Sequence, residues 1–250
     1  MDRYTSFFVV LLSLVLLSSC EKDPKPLKIE LIENAVTDVD GNSYDALKIG
    51  DQVWMKENLR TTRYANGTTI PLGTSNSTTT AYRYYPDNNS SNVSTYGYLY
   101  NWPAVMHGAS SSGSNPSGVQ GICPDGWHVP SDAEWTQLTD YVGSQSQCRC
   151  DGSSSCIAKA LASTTGWYSY TEICAVGNNP STNNATHFSA LPAGNYYGSY
   201  TDFGCNADFW CATENSSTDA YYRYLKYYNA GVGRYCNRKN DAFSVRCLRD

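Results

Sequence analysis

Charge is scarce in this chain. Asp, Glu, Lys and Arg make up 16% of its 250 residues, against about 25% in a typical soluble protein. What charge there is sums to −5. No basic stripe is available to neutralise phosphates, so nucleic acid is excluded as a partner. Three histidines leave little room for a histidine-rich metal centre. The sequence has no G-x-S-x-G, no H-E-x-x-H and no glycine loop built to cradle phosphate. It also lacks βαβ alternation, which argues against a parallel sheet, and it has no internal repeat. Aromatic residues are abundant instead: they reach 13%, and 21 of them are tyrosines. That composition excludes a disordered chain. Low charge with much Tyr, Ser, Thr, Asn and Gly points to an extracellular, β-rich domain.

The N-terminus reads as an address. Arg3 precedes an apolar run from Phe7 to Leu17, broken only by Ser13. The run is too short to span a bilayer, which needs about 20 apolar residues. It ends in Leu17-Ser18-Ser19-Cys20, which resembles a bacterial lipobox. Residues 1–19 are then a signal peptide, and Cys20 carries acyl chains that anchor the protein to a membrane. Glu21-Lys22-Asp23-Pro24-Lys25-Pro26 is similar to the charged tag of Bacteroidetes surface lipoproteins. That implies an outer-membrane protein facing the cell exterior. Residues 20–35 read as a linker stiffened by its prolines.

Nine cysteines remain beyond Cys20: Cys123, Cys148, Cys150, Cys156, Cys174, Cys205, Cys211, Cys236 and Cys247. In an exported protein they read as a disulfide framework, with at least one left over because the number is odd. The order of bonding is open at this level. A zinc site on Cys148, Cys150, Cys156 and Cys174 is the rival, but C-x-C-x5-C departs from the usual paired knuckles.

Short strands joined by turns are expected from Thr37 to Leu59, with turns at Asp40-Gly41 and Gly50-Asp51. Tyr82–Tyr85 reads as a further strand, and Tyr96–Trp102 as an aromatic segment. The clearest helix begins after Ser131, which forms an S-x-x-E capping box with Glu134. Trp135, Leu138, Tyr141 and Val142 follow at helical spacing, and Gly143 closes it. A second, shorter helix is expected over Ile157–Ala162. Strands are expected again at Phe188–Leu191, Phe209–Thr213, Ala220–Tyr228 and Phe243–Leu248. The class is α+β: one domain over residues 36–250, with twisted antiparallel sheets, two mid-chain helices and long disulfide-stapled loops.

The string Gly121-Ile122-Cys123-Pro124-Asp125-Gly126-Trp127-His128-Val129-Pro130-Ser131-Asp132-Ala133-Glu134-Trp135 resembles the core motif of the Fibrobacter succinogenes major paralogous domain. Asp40–Tyr44, Gln52–Arg60, Tyr98–Trp102, Phe188–Gly194 and Phe243–Cys247 are similar to further segments of that family. The stretch Trp127–Trp135 also resembles the strand-to-helix entry of formylglycine-generating-type proteins, which implies a C-type-lectin-like fold. That resemblance implies a bond between Cys123 and Cys247. It would close a loop worth ~4–5 kcal/mol on the chain-entropy model. The other cysteines would staple the long loops, with Cys205 or Cys211 bonding Cys236.

Candidate chemistry is thin. Cys123 and His128 would make a Cys/His pair, but a disulfide is the better use of Cys123 in an oxidising compartment. His128 reads as a packed structural residue. Cys236 and Cys247 lie where formylglycine-generating enzymes hold a reactive pair, yet the surrounding motif differs. Among Glu172, Asp202, Asp208, Glu214 and Asp219 no spacing selects a glycosidase pair, and scattered solvated acids are expected. Asp38-x-Asp40-Gly41-Asn42 is a fragment of a calcium loop without its distal glutamate. No metal and no cofactor is therefore expected. The remaining candidate is an aromatic surface over the last third of the chain, with Tyr196, Tyr197, Trp210, Glu214, Tyr221 and Tyr222 as ligand-binding residues. The expected function is a non-catalytic surface module for a glycan or a surface protein. A structural component of a surface fibre is the alternative, and a formylglycine-generating-like enzyme a more distant one.

Overall fold

Ser131 begins the longest helix as its sequence requires. In the computed structural model, which describes residue 1 and residues 27–250, Ser131 Oγ accepts the Glu134 amide and Glu134 accepts the Ser131 amide. Two of the helix's orphan donors are satisfied in this way. The helix covers Asp132–Ser144 and buries Trp135, Leu138 and Val142. It runs one residue past Gly143. A Cβ at that position would lie 2.6 Å from the Ser154 carbonyl, so glycine admits the cysteine-bearing loop rather than ending the helix.

Among the described residues, thirteen strands build three sheets. In chain order they are β1 Ile29–Thr37, β2 Ser43–Ile49, β3 Gln52–Met55, β4 Arg83–Tyr84, β5 Leu99–Asn101, β6 Trp127–His128, β7 Asn195–Tyr196, β8 Tyr200–Thr201, β9 Asn206–Glu214, β10 Asp219–Lys226, β11 Gly233–Arg238, β12 Ala242–Phe243 and β13 Leu248–Arg249. The first sheet runs β1-β2-β3-β13-β6, the second β4-β5-β12-β7-β8 and the third β11-β10-β9. Every strand pair in them is antiparallel. The class is α+β, as expected.

The C-terminal segment holds the three sheets together. β12 enters the second sheet between β5 and β7, and β13 enters the first between β3 and β6. Between them Ser244 bridges Phe209 of β9. Arg246 is fully buried here. Its Nε donates to Asn58 Oδ1 at 2.9 Å, and its terminal nitrogens donate to the carbonyls of Phe188 and Ser189. The guanidinium lies 4.3 Å from the centre of the Phe188 ring. Trp54, Trp135, Phe188 and Phe209 pack edge-on or tilted against one another, with ring centres 4.6 to 6.2 Å apart, and the guanidinium also lies 5.4 Å from the Phe209 ring centre. The motif segments that lie far apart in sequence therefore meet in one core.

Several expectations are corrected. Residues 29–35 are not linker: they belong to β1, which pairs with β2 from Ile29↔Ile49 to Thr37↔Ser43. Phe188–Leu191 is not a strand. His187 and Ser189 have positive φ, and the carbonyls a ladder would use face Arg246. Among the described residues the two expected helices occur, as α3 Asp132–Ser144 and α4 Ala158–Leu161, and two more precede them, α1 Val93–Tyr96 and α2 Trp102–Met106. α1 and α2 are single turns, too short to show periodicity. β11 carries no alternation because it is a sheet edge exposed on both faces.

Cys123 and Cys247 form a disulfide with Cα atoms 5.9 Å apart, and Cys150 bonds Cys174 at 5.5 Å. The second bond uses two of the four cysteines of the zinc alternative. Cys148, Cys156, Cys205, Cys211 and Cys236 are free thiols, so the expected bond from Cys205 or Cys211 to Cys236 is not formed. Cys211 sits on β9 and Cys236 on β11, with β10 between them. Two inter-strand spacings, about 9.5 Å, exceed the reach of a disulfide. Cys205 lies beside Tyr227 and Cys236 beside Tyr221, at opposite ends of β10. Cys20 lies outside the described residues. Among those described, no helix is long and apolar enough to cross a membrane.

Candidate functional site

The three-stranded sheet has two unlike faces because strand side chains alternate. On one face Phe209 and Leu225 enter the core under α3. Arg223 and Arg234 on that side both bind Asp132, at 2.8 and 2.9 Å. Tyr221 lies there too, 4.0 Å under the Arg234 guanidinium.

The other face carries a row of tyrosines. Tyr222 and Tyr224 have ring centres 5.5 Å apart. Lys226 follows, its ammonium 4.9 Å from the Tyr224 ring and 5.8 Å from the Tyr228 ring. Tyr228 then meets Tyr170 and Tyr227, and Tyr227 meets Tyr168. Tyr222 faces Tyr235 across the β10–β11 pair. Exposure rises along and across the row. Tyr222 is buried against Phe243 and Trp210, whereas Tyr228 is 41%, Tyr168 58% and Tyr235 64% exposed. Each lysine or aromatic contact of this kind contributes about 0.5–1.5 kcal/mol, so the row is ordered before anything binds.

Carboxylates flank this row. Asp208 on β9 pairs with Tyr224 and is buried. Asn195 Nδ2 donates to Asp208 Oδ2 at 2.9 Å and to Asp202 Oδ2 at 3.0 Å. Asp208 Oδ1 has no partner. Burial pushes the Asp208 carboxyl up to about 7 against the bond from Asn195, and the Asp202 charge adds to the rise. Burial also raises Asp241, to about 6. The Tyr197 and Tyr222 phenols are raised by burial first and by the Asp208 charge next.

Of the six residues expected to bind ligand, the structure brings Tyr197 and Tyr222 together beside these acids. Trp210 is core: it is buried, and its indole donates to the Tyr100 carbonyl at 2.9 Å. Tyr196 is likewise buried, stacked on Tyr84 with ring centres 4.2 Å apart. Tyr221 faces the helix side. Glu214 stands at the far end of β9 and binds Lys239 at 2.7 Å. Asp202 and Asp208 are not scattered solvated acids, since one amide joins them. Sequence reading missed Tyr168, Tyr170 and Asn195, which come from loops and a two-residue strand with no local signal. Tyr224 and Tyr228 were legible as even-numbered neighbours of Tyr222.

The other candidate groups are fully engaged. His128 is buried, with Nδ1 2.6 Å from Asp250 and Nε2 2.8 Å from Glu134. Burial opposes its charge, but these two bonds outweigh burial and its pKa is raised. Glu134 Oε2 also accepts the Ser117 and Ser131 amides. The cavities of about 340 and 350 Å³ beside His128 therefore meet no free acid or base on that side chain. Asp38 accepts from Asp40, Asn42 and Tyr44, and Asp40 binds Thr62 and Arg63, so that loop is a hydrogen-bonded turn. Cys247 is bonded to Cys123, so it does not form a reactive pair with Cys236. Burial raises the Cys148, Cys205 and Cys211 thiols, which disfavours their reactive thiolates.

These features define a mixed α+β domain with an ordered aromatic and acidic face and a heavily stitched core. The Fibrobacter succinogenes major domain model matches residues 47–249. The chain belongs to that family, and the family description names no activity. Comparison with curated proteins and with solved structures finds no match.

Proposed function

We propose that this chain is a non-catalytic binding module, held at the outer cell surface by a lipid on Cys20, that recognises a glycan along its tyrosine row. One observation carries the reading: Tyr222, Tyr224, Lys226 and Tyr228 form a continuous, pre-ordered row that grows more exposed towards Tyr228. Tyrosine offers a flat apolar face and a polar tip at low entropic cost, which suits a ring lined with hydroxyls. Asp202, which is exposed, and Lys226 beside it supply an acceptor and donors for those hydroxyls. The resemblance to C-type-lectin-like folds supports the same class of ligand. The test is a glycan and polysaccharide array probed with the folded, oxidised protein. A saturable hit that Tyr228→Ala or Tyr235→Ala weakens about tenfold, with the fold intact, supports it. Folded protein that binds nothing on the array overturns it.

The exposed edge of β11 favours a second reading, a component of a surface fibre. An unpaired edge strand is a template for a strand from another chain, and Cys236 lies on that edge as a half-buried free thiol. Co-purification of a partner that cross-links to Cys236 would favour it.

A further inference from the structure

We propose that Asp202 and Asp208 bind a hard divalent cation of calcium size. Two independent observations point there. The first is charge. Both carboxylates lie within 3.0 Å of the same Asn195 nitrogen, and no Lys, Arg or His among the described residues makes an ion pair with either of them. Lys226, the nearby base, places its ammonium over tyrosine rings instead. The second is an orphaned atom. Asp208 is 1% exposed, yet its Oδ1 makes no hydrogen bond of normal geometry, although the Asn206 side chain lies near the carboxyl. Nearly all buried polar atoms are paired, so an unpaired carboxylate oxygen marks a missing ligand. A water molecule would satisfy that oxygen but would not oppose the charge of Asp202 and ionised Asp208, which Lys226 offsets only in part, since the Asp208 carboxyl stays raised, to about 7. A cation does both.

The donor set selects the class of ion. The donors at hand are chiefly oxygen: the two carboxylates, with the phenol oxygens of Tyr197 and Tyr222 nearby and water to complete the shell; the Cys205 thiol near Asp202 is raised by burial and by the Asp202 charge and is a poor ligand. Oxygen donors suit hard cations. Among the described residues no three acidic, His or Cys side chains converge on one point, so neutral oxygens must contribute. One carboxylate comes from a regular strand. The other comes from a loop residue with φ of +61°, whose own carbonyl accepts the Cys205 and Asn206 amides. An irregular shell of this kind fits the flexible coordination of calcium better than the octahedron magnesium demands. Asp202 is exposed and forms the entrance. This inference is separate from glycan binding, because its readout needs no glycan.

Terbium, a luminescent substitute for calcium, tests it. The whole chain in non-ionic detergent, stripped with chelator, is titrated with Tb³⁺ under excitation of its tyrosines. One saturable equivalent of sensitised emission is expected, because the phenols of Tyr197 and Tyr222 stand beside the site. Calcium should displace it at about 0.1–1 mM, the range of extracellular modules. Asp202→Asn and Asp208→Asn should each weaken binding at least tenfold. Absence of saturable emission, or the same emission in both variants, overturns the proposal. If Asp208→Asn fails to fold, the exposed Asp202→Asn decides alone, with near-ultraviolet circular dichroism reporting its fold.

Discussion

The surroundings of Arg246 and of the tyrosine row on β10 differ in one physical respect. Arg246 is a buried charge whose guanidinium is bonded to Asn58, Phe188 and Ser189 and covered by rings. Nothing about it is open to a ligand. The tyrosine row is half exposed, and beside it lies Asp208 with an unpaired oxygen. A satisfied polar group in a core stabilises one arrangement, whereas an unsatisfied buried one favours an added partner. Asn58, Cys123, Glu134, Phe188, Arg246 and Cys247 are all bonded within the framework. The family match spans both regions.

That contrast breaks if the framework proves dispensable or the row proves structural. The largest effect should follow loss of the Cys123–Cys247 bond. Its loop spans 124 residues, so replacing both cysteines with alanine should cost ~4–5 kcal/mol on the chain-entropy model. Urea denaturation, followed by fluorescence, measures it. Next, Arg246→Ala leaves Asn58 Oδ1 and two buried carbonyls without donors, and should cost about 3 kcal/mol or more; the urea midpoint checks it. Ser131→Ala removes the helix cap and should cost about 1 kcal/mol.

His128 sharpens the comparison through pH. Its pKa in the folded protein is raised above the ordinary value of 6.5, so the folded state binds its proton more tightly than the unfolded state does. The stabilisation is complete below about pH 6.5 and is lost as pH rises through the folded value. Melting temperature should therefore fall as pH rises above about 6.5, and His128→Gln should flatten that slope. If the slope persists in His128→Gln, the histidine is not its source. The smallest effect should come from the row: Tyr228→Ala, which removes partly exposed and overlapping contacts, should change stability by about 1 kcal/mol or less while weakening glycan binding. A loss of 2 kcal/mol there would make the row part of the framework.

Much of the framework was legible because its signals are local. Ser131 and Glu134 lie three residues apart and state a helix start; Asp40-Gly41 and Gly50-Asp51 state turns. The Cys123–Cys247 bond came from family resemblance rather than spacing. Legibility failed where partners are distant in sequence. Trp210 and Tyr228 look alike in an aromatic-rich segment, yet one donates to Tyr100 and the other faces solvent. Asp208 looked like any surface acid until Asn195 and Asp202 were placed beside it.

The sequence alone therefore determined what short-range rules govern: the capped helix, the principal strands around the turns and the α+β class. Only the tertiary structure decided which tyrosines face solvent, which cysteines meet and which two carboxylates share an amide. Burial and pairing depend on strands and loops brought together from across the chain, and no local pattern encodes the distance between them.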